Sequence, residues 1–98
     1  MTSADVESIT IESAADGFSA LGDPIRLRVL AALVDGHQCV CDLLEAIEVA
    51  PNLLSYHLRV LREAGLIVGE RRGRWVDYCL APETLDRLRS AIPSERGS

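Results

Sequence analysis

Lysine is absent from this chain, aromatic residues make up only 4% of it, and there is no Cys-x-x-Cys pair. No apolar run approaches the roughly 18 residues that a membrane span needs, so no membrane partner is expected. The opening MTSADVESIT has no basic region followed by an apolar block, which argues against a secretory signal. A cytoplasmic location follows as the expectation, and thiols stay reduced there. Three cysteines are an odd count for a disulfide framework. A thiol oxidoreductase is disfavoured: the chain has no Cys-x-x-Cys, no strand-helix-strand pattern and no cysteine with an evident base and orienting partner. We read it as a non-enzyme. With few aromatics but 48% hydrophobic residues, the core should be aliphatic and mostly helical. A chain of 98 residues forms one domain with a modest core. Oligomerisation would bury the apolar faces of its end helices.

The net charge of −5 looks wrong for a nucleic-acid partner, but its distribution does not. Residues 1–50 carry nine acids and two arginines, a net of −7. Residues 51–76 carry five arginines (59, 62, 71, 72 and 74) against Glu63 and Glu70, a net of +3. Residues 77–98 return to −1. The positive charge is therefore concentrated in one stretch, and all of it is arginine, which suits bidentate phosphate and guanine contacts. A protein-interaction module that ignores DNA remains the competing class, and a DNA shift assay at low and high salt separates the two.

Residues 1–12 read as a mobile acidic arm, 13–92 as the folded domain and 93–98 as a polar tail. A short first helix is predicted over Ser13 to Leu21, with Ala14, Phe18 and Leu21 on one face. Asp23 is placed to cap, and Pro24 to open, a second helix running to Val34. Its apolar residues Ile25, Leu27, Val29, Leu30, Leu33 and Val34 surround most of the axis, predicting a central core helix. Asp35-Gly36 ends it. A third helix is expected over Val40 to Ile47, buried through Leu43, Leu44 and Ile47. Pro51 opens a fourth, stopped at Gly65. Leu54, Leu58 and Leu61 turn inward there and leave Asn52, Ser55, Tyr56 and Arg59 on the open side. Two helices joined so briefly, the second polar outside, make a helix-turn-helix. Leu66 to Glu70 and Trp75 to Leu80 then read as strands joined by Arg71-Arg72-Gly73-Arg74. The fold class is mainly α with a small β-hairpin, a winged helix-turn-helix. A last helix runs from Pro82 to Ile92.

The candidate DNA contacts follow from that placement. Asn52, Ser55 and Tyr56 are assigned to base edges, and Arg59, Arg71, Arg72 and Arg74 to phosphates. His57, next to Tyr56, is carried as a further DNA contact. Trp75 is read as an anchor for the base of the wing.

Cys39-Val40-Cys41-Asp42-Leu43 lies about a dozen residues before the recognition helix. Paired thiols bind soft ions or close as a redox switch. Positions i and i+2 of a regular helix point about 200° apart. Cys39 and Cys41 can therefore converge only if Cys39 precedes the helix or the first turn unwinds. Trivalent arsenic or antimony wants three sulfurs. The third donor would be Cys79, His37 through nitrogen, a small thiol or water. Cadmium or lead would add carboxylates such as Asp5 or Glu7. Cys79 itself reads as strand filler sharing a face with Trp75 and Asp77, and His37 as a loop residue.

Several stretches together resemble the ArsR/SmtB family of metal(loid)-responsive winged-helix repressors. They are Leu21-Gly22-Asp23-Pro24-Ile25-Arg26-Leu27-Arg28, Cys39-Val40-Cys41-Asp42-Leu43, Ser55 through Leu66, and Gly73-Arg74-Trp75-Val76. Their order and spacing match over about residues 17–90. The resemblance implies a homodimer built on the first and last helices. It also implies a repressor that leaves operator DNA when a metalloid or metal binds, with no resident cofactor. The cysteine element is similar to that of the arsenic-, antimony-, cadmium- and lead-responsive branch. The expected inducer is As(III) or Sb(III) at Cys39 and Cys41, with Cd(II) or Pb(II) next. The alternative is a thiol-redox or persulfide sensor using the same cysteines. Departures are Leu44 where arsenic-responsive members often have a third Cys, and an arm without cysteine. The last helix lacks paired histidines, and Ala50-Pro51-Asn52 stands where Ser-Gln-Pro is common.

Overall fold

The computed structural model describes residues 10–95. The expected arm at 1–9 and the tail at 96–98 lie outside the described residues. Helix α1 spans Ile11–Leu21 and is capped by Thr10, whose Oγ1 accepts the Ser13 N–H at 3.0 Å. This cap starts the helix two residues earlier than expected and moves Ile11 and Glu12 out of the arm. Helix α2 spans Pro24–Ala32. The Asp23 carboxylate accepts from the N–H of Ile25 at 2.8 Å and of Arg26 at 3.1 Å, and Pro24 fills the first position, where an N–H would lack a partner anyway.

The expectation of an all-round buried α2 needs correction. Leu27 is 51% and Val34 68% exposed, and only one side of the helix, through Val29, Leu30 and Leu33, enters the core. The rest of its circumference is not fully covered, so Leu27 and Val34 meet solvent.

Strand β1, Gln38–Cys39, was not expected. It leads directly into helix α3, Val40–Ala46, whose Leu43 is buried. Helix α4 spans Pro51–Glu63. Its end is a Schellman motif: the Leu66 N–H donates to the Leu61 carbonyl at 2.9 Å and the Gly65 N–H to Arg62 at 3.0 Å. The motif needs a left-handed residue, and Gly65 supplies it at φ 77°. Strands β2 (Ile67–Arg72) and β3 (Trp75–Leu80) form the hairpin, turning at Gly73-Arg74, and helix α5 spans Pro82–Ala91. The sheet order is β1-β3-β2, antiparallel throughout.

The core joins Leu30 and Leu33 of α2, Leu43, the α4 stripe Leu54, Leu58 and Leu61, and Leu66, Ile67, Tyr78 and Leu88. Helix α1 comes close to α5 at Gly17, where an added Cβ would stand 2.8 Å from a methyl of Leu88. No described helix is long and apolar enough to cross a membrane. Leu58 holds helix α4 on this core. Leu58→Ala should cost about 2–5 kcal/mol, read as a lower denaturation midpoint with unchanged m-value. A cost below about 1 kcal/mol would show that α4 is held elsewhere.

Candidate nucleic-acid interface and thiol site

Helix α4 turns Asn52, Ser55, Tyr56 and Arg59 outward, as its leucine spacing requires, and all four are exposed. The Arg59 guanidinium lies 5.9 Å from the centre of the Tyr56 ring, close enough for a cation–π contact that steers both side chains. Leu53, which the sequence pattern leaves unassigned because it falls outside the Leu54, Leu58 and Leu61 stripe, is also exposed on this helix. Ala50 gives no side-chain cap, so Pro51 alone sets the start.

His57 must be withdrawn as a DNA contact. It is only 5% exposed and its Nδ1 lies 3.0 Å from Arg26 Nη1. A guanidinium has donors only, so Arg26 is the donor of this contact and the ring nitrogen takes the acceptor role. Arg26 also donates through Nε to the Ala20 carbonyl at 2.6 Å. The pair therefore ties α4 to the C-terminal turn of α1. Leu54, His57, Leu58 and Leu61 share one buried stripe at three- and four-residue spacing, and that spacing was the available signal.

Asp23 completes this junction, with Oδ1 4.0 Å from His57 Nδ1. Burial pushes its carboxyl pKa up. The N–H bonds from Arg26 and Ile25, with the nearby positive charge of Arg26, outweigh that and hold it below the ordinary value. A lowered folded-state pKa contributes stability above the unfolded value, about 4, that is lost as pH falls through the folded one. The stability gap between wild type and Asp23→Asn should therefore be constant near neutrality and shrink below about pH 4, in urea unfolding across a pH series. A gap unchanged at pH 2 would remove Asp23 from this role.

The wing arginines are not equivalent. Arg72 donates to Glu70 at 3.1 Å and pairs with Asp77 at 3.2 Å. Arg71 and Arg74 are exposed at the tip and make no ion pair among the described residues. Trp75 is 58% exposed, so it does not anchor the wing base. It pairs with Arg72 across the hairpin on the side away from the core.

Cys39 precedes α3 in extended backbone, φ −85° and ψ 170°, as its N-cap residue. The first of the two geometries open to the pair is therefore the one adopted, and no unwinding is needed to separate Cys39 from the helix. Asp42 accepts the Cys39 N–H at a long 3.4 Å. Cys41 is exposed on the first turn, while Cys39 and Cys79 are half-buried, and all three thiols are free. His37 Nδ1 lies 3.8 Å from Glu70 Oε1 in an exposed pair. Among the described residues, no three His, Cys, Asp or Glu side chains already stand as a metal site.

A helix-turn-helix with an arginine-tipped hairpin beside it defines a winged-helix DNA-binding regulator. The model for bacterial regulatory proteins of the arsR family matches residues 23–68. The chain is 45% identical over 74 residues to the arsenical resistance operon repressor of Bacillus subtilis, covering 74% of this chain and 70% of that protein. It is 48% identical over 67 residues to the transcriptional repressor SmtB homolog of Synechocystis sp., covering 68% of this chain but only 51% of that one. Among solved structures, one described as a possible transcriptional regulator for arsenical resistance matches with TM-score 0.72 at 36% identity, covering 76% of this chain and 78% of that one. Reduced HlyU from Vibrio cholerae matches with TM-score 0.70 at 28% identity, covering 81% and 84%. The chain belongs to the ArsR/SmtB family of winged-helix transcriptional repressors, regulators rather than enzymes.

Proposed function

We propose that this protein is a cytoplasmic homodimeric repressor that leaves its operator when trivalent arsenic or antimony binds Cys39 and Cys41, with cadmium or lead the next candidates for the inducer. The observation that carries this reading is the paired thiols at the start of α3, one before the helix and one on its exposed first turn. Two thiolates select soft ions. Similarity to a protein named as an arsenical resistance operon repressor supports arsenic in particular.

The three donors of a pyramidal site do not yet stand together. An ion that gathers them favours a different shape of the α3 start from the one described. Binding one shape better than the other is what shifts a population. The dimer is assigned to α1 and α5. The groove between them has an apolar side on α1, Ile11, Ala14, Ala15 and Phe18, and a mostly charged side on α5, Glu83, Asp86 and Arg87, and Ile11 is largely exposed.

The test is a titration of the preformed operator complex with sodium arsenite under reducing conditions, followed by antimonite, cadmium and lead. Release by arsenite at the lowest concentration is expected. Release by oxidant or persulfide alone, with no response to any ion, would replace this reading with the redox one.

A further inference from the structure

We propose that Cys79, on the wing, is the third sulfur of the inducer site, so that Cys39, Cys41 and Cys79 together take one trivalent arsenic or antimony. The inference rests on the proposed role of Cys39 and Cys41 and selects one of the third donors that the sequence leaves open.

The unexpected strand β1 carries the argument. It pairs with β3 so that Cys39 stands opposite Asp77. Side chains alternate along a strand, so Cys79, two residues beyond Asp77, shares the face of Cys39. Val76, Tyr78 and Leu80 take the other face, where Tyr78 is buried in the core. Cys39 and Cys79 are thus diagonal neighbours on the outer face of one sheet, at a spacing of about 7–8 Å between backbones.

That spacing lies at or beyond the roughly 7 Å limit for a disulfide that closes without backbone movement. It suits an ion, because two sulfur–ion bonds of about 2.3 Å each, as for zinc, extend the reach of the two side chains. The hard donors on this face are already engaged. Arg72 holds both Glu70 and Asp77, and His37 is drawn to Glu70. The thiols are left as the soft donors, which favours an all-sulfur pyramid over a mixed carboxylate site. Cys41 must swing toward the sheet to complete it. The turn that carries it is weakly fastened, by the 3.4 Å bond from Cys39 to Asp42.

The chemistry needs no oxidant. Each thiol gives its proton to one hydroxyl of arsenous acid, which leaves as water. Three As–S bonds replace three As–O bonds, and arsenic stays trivalent. The product ties the wing strand to the first turn of α3, so one binding event acts on the hairpin and the helix-turn-helix together.

The experiment is arsenic-edge X-ray absorption on the full-length protein with one equivalent of sodium arsenite, with a phosphine reductant so that no added thiol supplies sulfur. Three As–S bonds are expected in wild type, and two with one As–O in both Cys79→Ser and Cys79→Ala. Each variant should keep operator binding and need at least about ten-fold more arsenite for half-release. A wild-type spectrum of two sulfurs and one oxygen, or Cys79 variants with an unchanged spectrum, overturns the role of Cys79 and leaves the two-thiol site standing. Full sulfur coordination in a Cys39→Ser/Cys41→Ser protein overturns the underlying reading as well.

Discussion

Cys39→Ser and Cys41→Ser should each leave operator affinity unchanged and abolish its response to arsenite. Serine at position 39 keeps the N-cap geometry and is a better capping residue than cysteine, so α3 should form at least as well. Cys41 is exposed, so serine there disturbs no packing. What both variants lose is a soft donor. A coupling of 1–3 kcal/mol, typical of such linkage, corresponds to about a 5–150-fold loss of operator affinity on binding inducer. In the serine variants that factor should fall to one. Linkage also requires operator DNA to weaken arsenite binding to wild type by the same factor, and fluorescence anisotropy with parallel arsenite titrations measures both sides of the cycle. Zinc should be a poor inducer, since α5 has no paired histidines to fill a tetrahedral site. Release that survives loss of both Cys39 and Cys41 would move the sensor elsewhere in the chain.

The recognition helix was legible because two signals coincided. Pro51 and Gly65 mark its ends, and Leu54, Leu58 and Leu61 fix its inward face. The hairpin was legible for a similar reason, with alternation in Val76, Tyr78 and Leu80 and a glycine turn between strands. Strand β1 was not, because two residues carry no period. Its existence depends on pairing with β3, a partner about 40 positions further along the chain. The shared face of Cys39 and Cys79 was hidden with it. His57 was misassigned by its chain neighbour Tyr56, although its three- and four-residue spacing from Leu54 and Leu61 placed it inward. The cost of burying an imidazole is met by Arg26, a partner 31 positions away. The apolar circumference of α2 put Leu27 and Val34 in the core, but which sides of a helix are covered depends on where its neighbours pack, and those two sides are left open. Arg72 shows the same limit for charge. Arginine on the wing was evident, but its pairing with Asp77 is set by the register of β2 and β3.

That pairing gives the wing variants an order. Arg71→Ala/Arg74→Ala should weaken binding to operator and unrelated duplex alike, because phosphate contacts position a protein without reading bases. Four such contacts in the proposed dimer correspond to a fall of about 3–4 in the slope of log affinity against log salt. Adding Arg72→Ala should change the slope little, since Glu70 and Asp77 already hold that charge. The recognition helix should behave in the opposite way. Asn52→Ala, Ser55→Ala and Tyr56→Ala should each remove about 1–3 kcal/mol of discrimination between operator and scrambled duplex wherever the side chain pairs with a base, with the salt slope largely kept. His57→Ala should do neither directly. It should lower the stability of the whole domain, because a buried partner of Arg26 is lost. Anisotropy titrations of both duplexes across a salt series, with a denaturation curve for each variant, separate the three behaviours. If the wing double variant changes sequence preference while the α4 variants bind the operator as wild type does, the reading element is the wing, and α4 only positions it.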